Sequence, residues 1–322
     1  MFANILIAFV FVLAAILFGW LAKRAWSAKR WFIRFPGVFF AGLLMLVFAL
    51  VAIVGGIGLY NVSKPYPVAQ VNITLANTPE QIARGKHVAD MFCVSCHTLN
   101  GQLPMTGGKN LSEDAGMPLG DIYPPNITPG GAIKNLTDND LFRILNTGVR
   151  PDGHVTFMNA VNSRFMSDED KKAVIAYLRS QPTVTEQRPP LSYSYLAAML
   201  SGAGLIKYDV PNTIATVNAP PKAPTKAYGE YIVNFMDCRS CHGPTLTGDA
   251  QPPAPKAPNL TQIVPKWSKD DFFKAMRTGI DPEGHKLSDL MPWQNVAKMD
   301  DEELTALYEY LHALTPAIPP AQ

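Results

Sequence analysis

Two stretches near the start of the chain carry no charge: residues 3–22, ANILIAFVFVLAAILFGWLA, and residues 36–60, PGVFFAGLLMLVFALVAIVGGIGLY. An α-helix rises 1.5 Å per residue, so twenty such residues reach about 30 Å, the thickness of a bilayer's hydrocarbon core. A buried helix in a soluble core does not need two uncharged runs of this length, and the pair predicts a membrane-spanning hairpin over residues 1–61. MFANIL holds no basic residue and the first run outlasts the apolar part of a secretory signal, so the segment reads as a retained helix. Lys23, Arg24, Lys29, Arg30 and Arg34 lie between the runs with no acid among them, which assigns the loop 23–35 to the cytoplasm. Both termini and everything beyond residue 61 then lie on the periplasmic side of a bacterial cytoplasmic (inner) membrane. Trp20, Trp26 and Trp31 at one interface and Tyr60 at the other read as aromatic anchors in contact with membrane lipid.

The formal net charge of +2 hides an asymmetry. Setting aside those five basic residues leaves 23 Lys and Arg against 26 Asp and Glu. A nearly neutral exported part offers no basic face, so the sequence predicts no nucleic-acid partner.

The chain has four cysteines, and all fall in two copies of one pattern, CVSCH at 93–97 and CRSCH at 238–242. C-x-x-C-H is the attachment signature for c-type haem: two thiols add across the haem vinyl groups, and the adjacent His is placed to bind iron. A zinc site would pair two C-x-x-C units within one small module, and a disulfide framework would scatter its spacings. The pattern therefore predicts two covalently bound haem c groups, one on Cys93 and Cys96 and one on Cys238 and Cys241, with His97 and His242 as proximal ligands. Haem attachment of this kind takes place outside the cytoplasmic membrane, in agreement with the topology read from charge.

The rest of the exported part repeats itself. PPNIT at 124–128 matches APNLT at 257–261, TGVRPDGH at 147–154 matches TGIDPEGH at 278–285, and FMSDEDKKAVIAYL at 165–178 matches KMDDEELTALYEYL at 298–311. The first and last blocks keep one offset, whereas the cysteine motifs are further apart, so the first copy holds about twelve extra residues within 99–123. That polar, Gly-rich insertion reads as a surface loop, either tolerated or used to dock a partner. Each copy opens with a helix leading to the cysteines, Thr78 being the expected N-cap of the first. Each closes with a stronger helix, capped at Ser167 or Asp300 with Asp170 or Glu303 three residues on. Strand signals are nearly absent.

Sixth ligands are sought among residues that repeat. Met158 and Met291 correspond, as do Met166 and Met299. Met158 and Met291 precede the closing helix in loops and are the expected iron ligands, through which a thioether raises the potential. Met166 and Met299 directly precede the caps, where packing against the first helical turn is the expected role. His154 and His285 also repeat, and a bis-His haem is the alternative. The carbonyls of Pro125 and Pro258 are placed to accept the proximal His N–H and fix the ring. Asn126, Asn259, Trp267, Trp293 and Arg150 are candidates for contact with haem propionates. His87 and His312 have no counterparts and read as surface or packing residues.

The succession C-x-x-C-H, P-N-(I/L)-T, T-G-x-x-P-x-G, Met, and then SDEDKKAVIAYL or DDEELTALYEYL resembles the class I cytochrome c domain. It is similar in particular to the tandem domains of membrane dehydrogenase cytochrome subunits and of the dihaem subunit of cbb3-type oxidases. The resemblance implies an all-α fold: an N-terminal transmembrane helical hairpin followed by two tandem class I cytochrome c domains, at 78–182 and 226–315. It implies His/Met-ligated, low-spin haems that pass single electrons. Dehydrogenase cytochrome subunits often carry three haems and a C-terminal anchor, whereas this chain shows two motifs and an N-terminal hairpin. The linker, 183–225, contains LSYSYLAAMLSGAGLI, apolar enough to pack on a haem domain or on a partner and so to fix the two domains relative to each other.

The expected function is single-electron transfer by a membrane-anchored dihaem cytochrome. Its expected partners are other subunits of a larger respiratory or photosynthetic redox complex and a soluble electron carrier. No catalytic residue is assigned, because such a protein places haems and tunes their potentials rather than making bonds. Two alternatives stand beside it: a dihaem peroxidase, which needs one releasable distal ligand, and a free membrane-tethered shuttle. A haem-based sensor would need a cytoplasmic transmitter, and only the short basic loop lies on that side.

Overall fold

The structure, a computed structural model, describes residues 2–114, 116–248, 257–288 and 290–316. Two long helices come first, α1 (Phe2–Trp26) and α2 (Trp31–Ser63). Both are long and apolar enough to cross a membrane, and no residue in the most apolar window of either is buried within the protein. A surface of that kind needs an apolar medium, so the hairpin has the character of a membrane anchor. The two helices pack through Phe18 on Phe48, with ring centroids 5.4 Å apart, and through Phe11 on Phe48 at 6.0 Å. Each helix outruns its uncharged stretch, because backbone hydrogen bonding continues through basic residues whose long side chains reach the headgroup level. Arg34 there stacks 4.2 Å over the Trp26 ring.

The first repeat unit contains α3 (Pro79–Phe92), the short α4 (Val94–His97), α5 (Leu111–Asp114), β1 (Gly120–Asp121), α6 (Asp138–Thr147) and α7 (Asp168–Ser180). Two single 3-10 turns, Phe157–Ala160 and Asn162–Phe165, link α6 to α7. Thr78 caps α3 by accepting from Gln81 N, and Ser167 caps α7 by accepting from Asp170 N. Helices α3 and α7 cross with Val88, Met91, Val174, Ile175 and Leu178 buried between them and their surroundings.

The insertion is not a simple surface loop. Met105 and Ile122 are buried, and Gly120–Asp121 pairs antiparallel with β2 (Ser192–Tyr193) of the linker. Helix α8 (Tyr195–Gly202) follows at once and packs on α2. The linker's apolar segment thus lies against the membrane hairpin, a surface that its composition did not identify.

The second unit runs through α9 (Lys226–Phe235), α10 (Cys238–His242), α11 (Leu260–Ile263), α12 (Lys269–Thr278), α13 (Trp293–Val296) and α14 (Asp301–His312). Asp300 caps α14 in a reciprocal box with Glu303. Helices α9 and α14 cross as α3 and α7 do, around Ile232, Phe235, Leu304 and Leu307. Among the described residues the only strands are the two short ones, as expected of an all-α fold.

Candidate functional site

Both C-x-x-C-H segments form a single helical turn at the end of a longer helix. In the first, Cys93 ends α3 and Cys93 O accepts from His97 N at 2.9 Å. In the second, Asp237 adopts a left-handed conformation (φ 59°) between α9 and the cysteine turn. Asp237 also accepts a short hydrogen bond from Asn162 Nδ2 of the first unit.

His97 and His242 are both buried, and they are held the same way. His97 Nδ1 lies 2.9 Å from Pro125 O, and His242 Nδ1 lies 2.9 Å from Pro258 O. A carbonyl only accepts, so each Nδ1 carries the proton and each Nε2 keeps its lone pair for a metal. Burial pushes both imidazoles toward the neutral form, against the smaller opposing effect of the proline carbonyl, and the neutral ring is the metal-binding one. The residues that follow close the turn: Gly107 N donates to His97 O at 2.9 Å and Gly248 N to His242 O at 2.8 Å.

Met158 and Met291 lie in matching loops. Thr156 N donates to Gly148 O and Leu287 N to Gly279 O, each at 2.8 Å, so in both units a small hairpin carries the Met segment back over the preceding helix. Gly148 (φ 70°) and Gly279 (φ 71°) end α6 and α12 in the left-handed region. A Cβ at Gly148 would stand 2.4 Å from Asn159 N, and one at Gly279 would stand 2.4 Å from the Trp293 ring, so the glycines let the loop approach. Met158 and Met291 are half-buried, whereas Met166 and Met299 are buried in the core. His154 and His285 are exposed and face Asp152 and Asp281 in their own turns.

The candidates for propionate contact divide. Asn126 is saturated: its Nδ2 donates to Val184 O and Glu186 O, and its Oδ1 accepts from Thr128 N and Oγ1. It locks the start of the linker. Asn259 Oδ1 likewise accepts from Thr261. Arg150 is half-exposed and sits 3.7 Å from Asp152, and the Trp267 carbonyl accepts from Tyr308 Oη. Trp293 Nε1 differs, being buried with no partner in the protein two residues beyond Met291. A buried indole donor without an acceptor fits a group that brings carboxylates into the crevice, as haem does. Arg188 Nε, beside Gly107 in the first unit, is also a buried donor without a partner, as are Arg143 Nε and Gln181 Nε2. The sequence position of Arg188 within the linker gave no signal of this.

The two units meet through an ion-pair network. Arg84 Nε lies 2.7 Å from Asp170 Oδ1, and Arg84 Nη1 lies 2.9 Å from Glu303 Oε1 in the second unit. His87 Nε2 is 2.6 Å from Glu303 Oε2, and Tyr231 Oη donates to Asp170 Oδ2 at 2.7 Å. Burial tends to raise the Glu303 pKa, but the His87 and Arg84 hydrogen bonds and charges outweigh it and bring the pKa to about 2. His87, read from the sequence as a surface or packing residue, is a hydrogen-bond partner of Glu303 across the interface. Phe92 and Phe235, near the two cysteine motifs, face each other with centroids 6.4 Å apart.

The family model for cytochrome c matches residues 82–182 and 227–315. The chain belongs to the cytochrome c family. It is 30% identical over 273 residues to the cytochrome c subunit of a quinone-dependent alcohol dehydrogenase from Gluconobacter oxydans, covering 74% of this chain and 55% of the relative. It is 26% identical over 282 residues to the gluconate 2-dehydrogenase cytochrome c subunit of Pantoea cypripedii, covering 76% of this chain and 60% of the relative. A match at 27% identity to the fructose dehydrogenase cytochrome subunit of Gluconobacter japonicus covers 38% of this chain and 27% of that protein. This cytochrome therefore spans little more than half the length of the first two relatives. Membership of the family carries covalently bound haem c, and both matched segments contain one C-x-x-C-H turn.

Proposed function

We propose that this chain is a membrane-anchored dihaem c-type cytochrome that passes single electrons as the cytochrome subunit of a membrane dehydrogenase complex. The observation that carries the reading is the repeated turn in which two cysteines precede a buried His whose Nδ1 is held 2.9 Å from a proline carbonyl, in both units. Haem c bound at each site would supply one-electron exchange at iron. In the first domain, 78–182, Cys93 and Cys96 would attach the haem, His97 and Met158 would bind its iron, and Pro125 would orient the His97 ring. In the second, 226–315, Cys238 and Cys241, His242 and Met291, and Pro258 have the same roles. A His–Met pair would favour ferrous iron and raise the potential of each haem.

The basic loop 23–35 faces the cytoplasm, and both haem domains stand on the periplasmic side of the inner membrane. Names of relatives that denote cytochrome subunits of alcohol and gluconate dehydrogenases support a dehydrogenase subunit as electron donor. The acceptor is a membrane or soluble electron carrier.

The test is purification of the full chain from its own membranes in mild detergent, with haem measured as the pyridine haemochrome and co-migrating chains identified by mass. Two haems per chain and a co-purifying dehydrogenase subunit are expected. One haem per chain would defeat the dihaem reading, and a chain that runs alone would defeat the subunit reading.

A further inference from the structure

The hairpin accounts for the two uncharged runs at the start of the chain, yet a third uncharged stretch lies far along it. From Pro189 to Ile206 there is no charged residue, with Arg188 and Lys207 at its borders. This stretch contains β2, α8 and the turn after α8, and α8 rests on the hairpin.

The contact is close and lies well inside the apolar part of α2. A Cβ at Gly58 would stand 1.6 Å from Ala198 O, and one at Gly202 would stand 1.9 Å from Val54 O. Tyr195 Oη donates to Val51 O at 3.1 Å, and its ring stacks on Phe11 with centroids 5.6 Å apart. Asn4 Nδ2, near the start of α1, donates to Tyr193 O at 2.7 Å. Gly58 precedes Lys64, the first charged residue after the span, by six positions, or about 9 Å of helix at 1.5 Å per residue. Val51 precedes it by about 20 Å on the same scale. Helix α8 thus crosses α2 below the level at which charge resumes.

Its outer side is apolar. Leu205 is 67% exposed and Leu196 38%, with no ionic group between them. The backbone is also suited to a medium without water, where every N–H must find a protein acceptor. Ser194 Oγ caps α8 by accepting from Ala197 N. Beyond the helix, Ala203 N donates to Met199 O, Gly204 N to Ser201 O, and both Leu205 N and Ile206 N to Leu200 O. These bonds satisfy the N–H groups of the turn that closes α8 within the protein itself.

We infer that α8 and its closing turn, residues 195–206, lie in the bilayer as a third membrane element, in the leaflet on the haem side, with Leu196 and Leu205 against lipid acyl chains. The inference rests on the membrane reading of the hairpin, whose lipid-facing surface α8 continues. Its contacts on α2 begin about 9 Å of helix below Lys64, within the apolar part of the span, where an uncharged segment too short to cross the bilayer can lie.

The test uses the full haem-loaded chain in phosphatidylcholine–phosphatidylglycerol vesicles that contain a phosphatidylcholine with a photoactivatable diazirine in its acyl chain. After irradiation and trypsin digestion, lipid adducts are mapped by peptide mass spectrometry. Adducts are expected on the hairpin peptides and, at comparable yield, on the peptide 180–207, localised to 195–206 and several-fold above those of the second domain. Adducts on the hairpin but not on 195–206 would overturn the inference and leave the anchor intact. Absence of adducts from the hairpin as well would defeat the membrane reading, and the inference with it.

Discussion

Glu303 decides how firmly the two cytochrome domains hold together. Its side chain is 2% exposed and engages Arg84 at 2.9 Å and His87 at 2.6 Å, both on α3 of the first domain. Its pKa stands at about 2 against an ordinary value of 4.5, and at 1.36 kcal/mol per unit this difference corresponds to about 3 kcal/mol. The folded pKa is depressed, so the stabilisation is fully present above the unfolded value and is lost as pH falls toward the folded one. The same relation leaves about 1 kcal/mol near pH 3 and almost nothing near pH 2. Glu303→Gln removes the charge while keeping the side chain's size. In guanidinium unfolding of the detergent-solubilised protein, followed by far-UV circular dichroism, the variant is expected to be less stable at neutral pH by about 3 kcal/mol, the scale of a broken buried ion pair. The gap between variant and wild type should narrow to about 1 kcal/mol near pH 3, because the carboxyl of the unfolded chain is by then protonated while that of the folded protein is still largely ionised. Other carboxylates titrate in both proteins and cancel in the difference. Two outcomes would refute the reasoning: no loss at neutral pH, or a loss that stays constant as pH falls. A constant loss would mean that the variant damages the α14 cap rather than the charge network.

Two further variants probe the haem crevices. Met291→Ala should lower the potential of the second haem, within the ~0.8 V range that axial ligands command, and should let carbon monoxide bind there in the reduced protein. A redox titration that gives the wild-type potential, with no carbon monoxide band, would remove Met291 from the ligand set. Gly279→Ala places a methyl group 2.4 Å from the Trp293 ring at a φ of 71°. The left-handed conformation alone costs a non-glycine residue about 1–2 kcal/mol. The variant is expected to disturb Met ligation in the second domain and leave the first unchanged, as read from the separate potentials of the two haems.

Features imposed by chemistry or by solvent were legible in the sequence. Lipid requires long uncharged helices, thioether attachment requires two cysteines at one spacing, and helix ends require caps. Thr78, Ser167 and Asp300 therefore sit where the letters placed them. Features created by one unit meeting another were not legible. Asp170 and Glu303 read as cap partners, and they do occupy those positions, yet both also engage Arg84. No periodicity links Arg84 to a carboxylate 219 residues away. Asn126 read as a candidate for propionate contact because nothing local shows that Val184 and Glu186 return to it. Likewise, the apolar character of α8 was plain, but its contact surface on α2 was not. Glycines and alanines that let two backbones touch have little hydropathy to mark them.

These contacts also bear on whether the haem domains swing on a tether or stand at a fixed height. A swinging domain would need a free segment after α2, and residues 64–78 are not free. Tyr66 N donates to Gly153 O at 2.8 Å, Ile73 N to Asn139 Oδ1 at 2.9 Å, and Val71, Ile73 and Leu75 pack on the core. The same domain is tied to the hairpin a second time, through the β1–β2 pairing that leads directly into α8 and through α8 on Val54 and Gly58. Two attachments at separate points remove the rotation that one flexible connection would allow. The second domain is held in turn by Arg84, by His87 and by Lys298 Nζ, which donates to Asp90 O at 2.8 Å. Position is therefore transmitted from the hairpin through the first domain to the second, and each C-x-x-C-H turn keeps a set distance from the hairpin. That arrangement suits a relay fixed within an assembly, and it works against a shuttle that must turn between donor and acceptor.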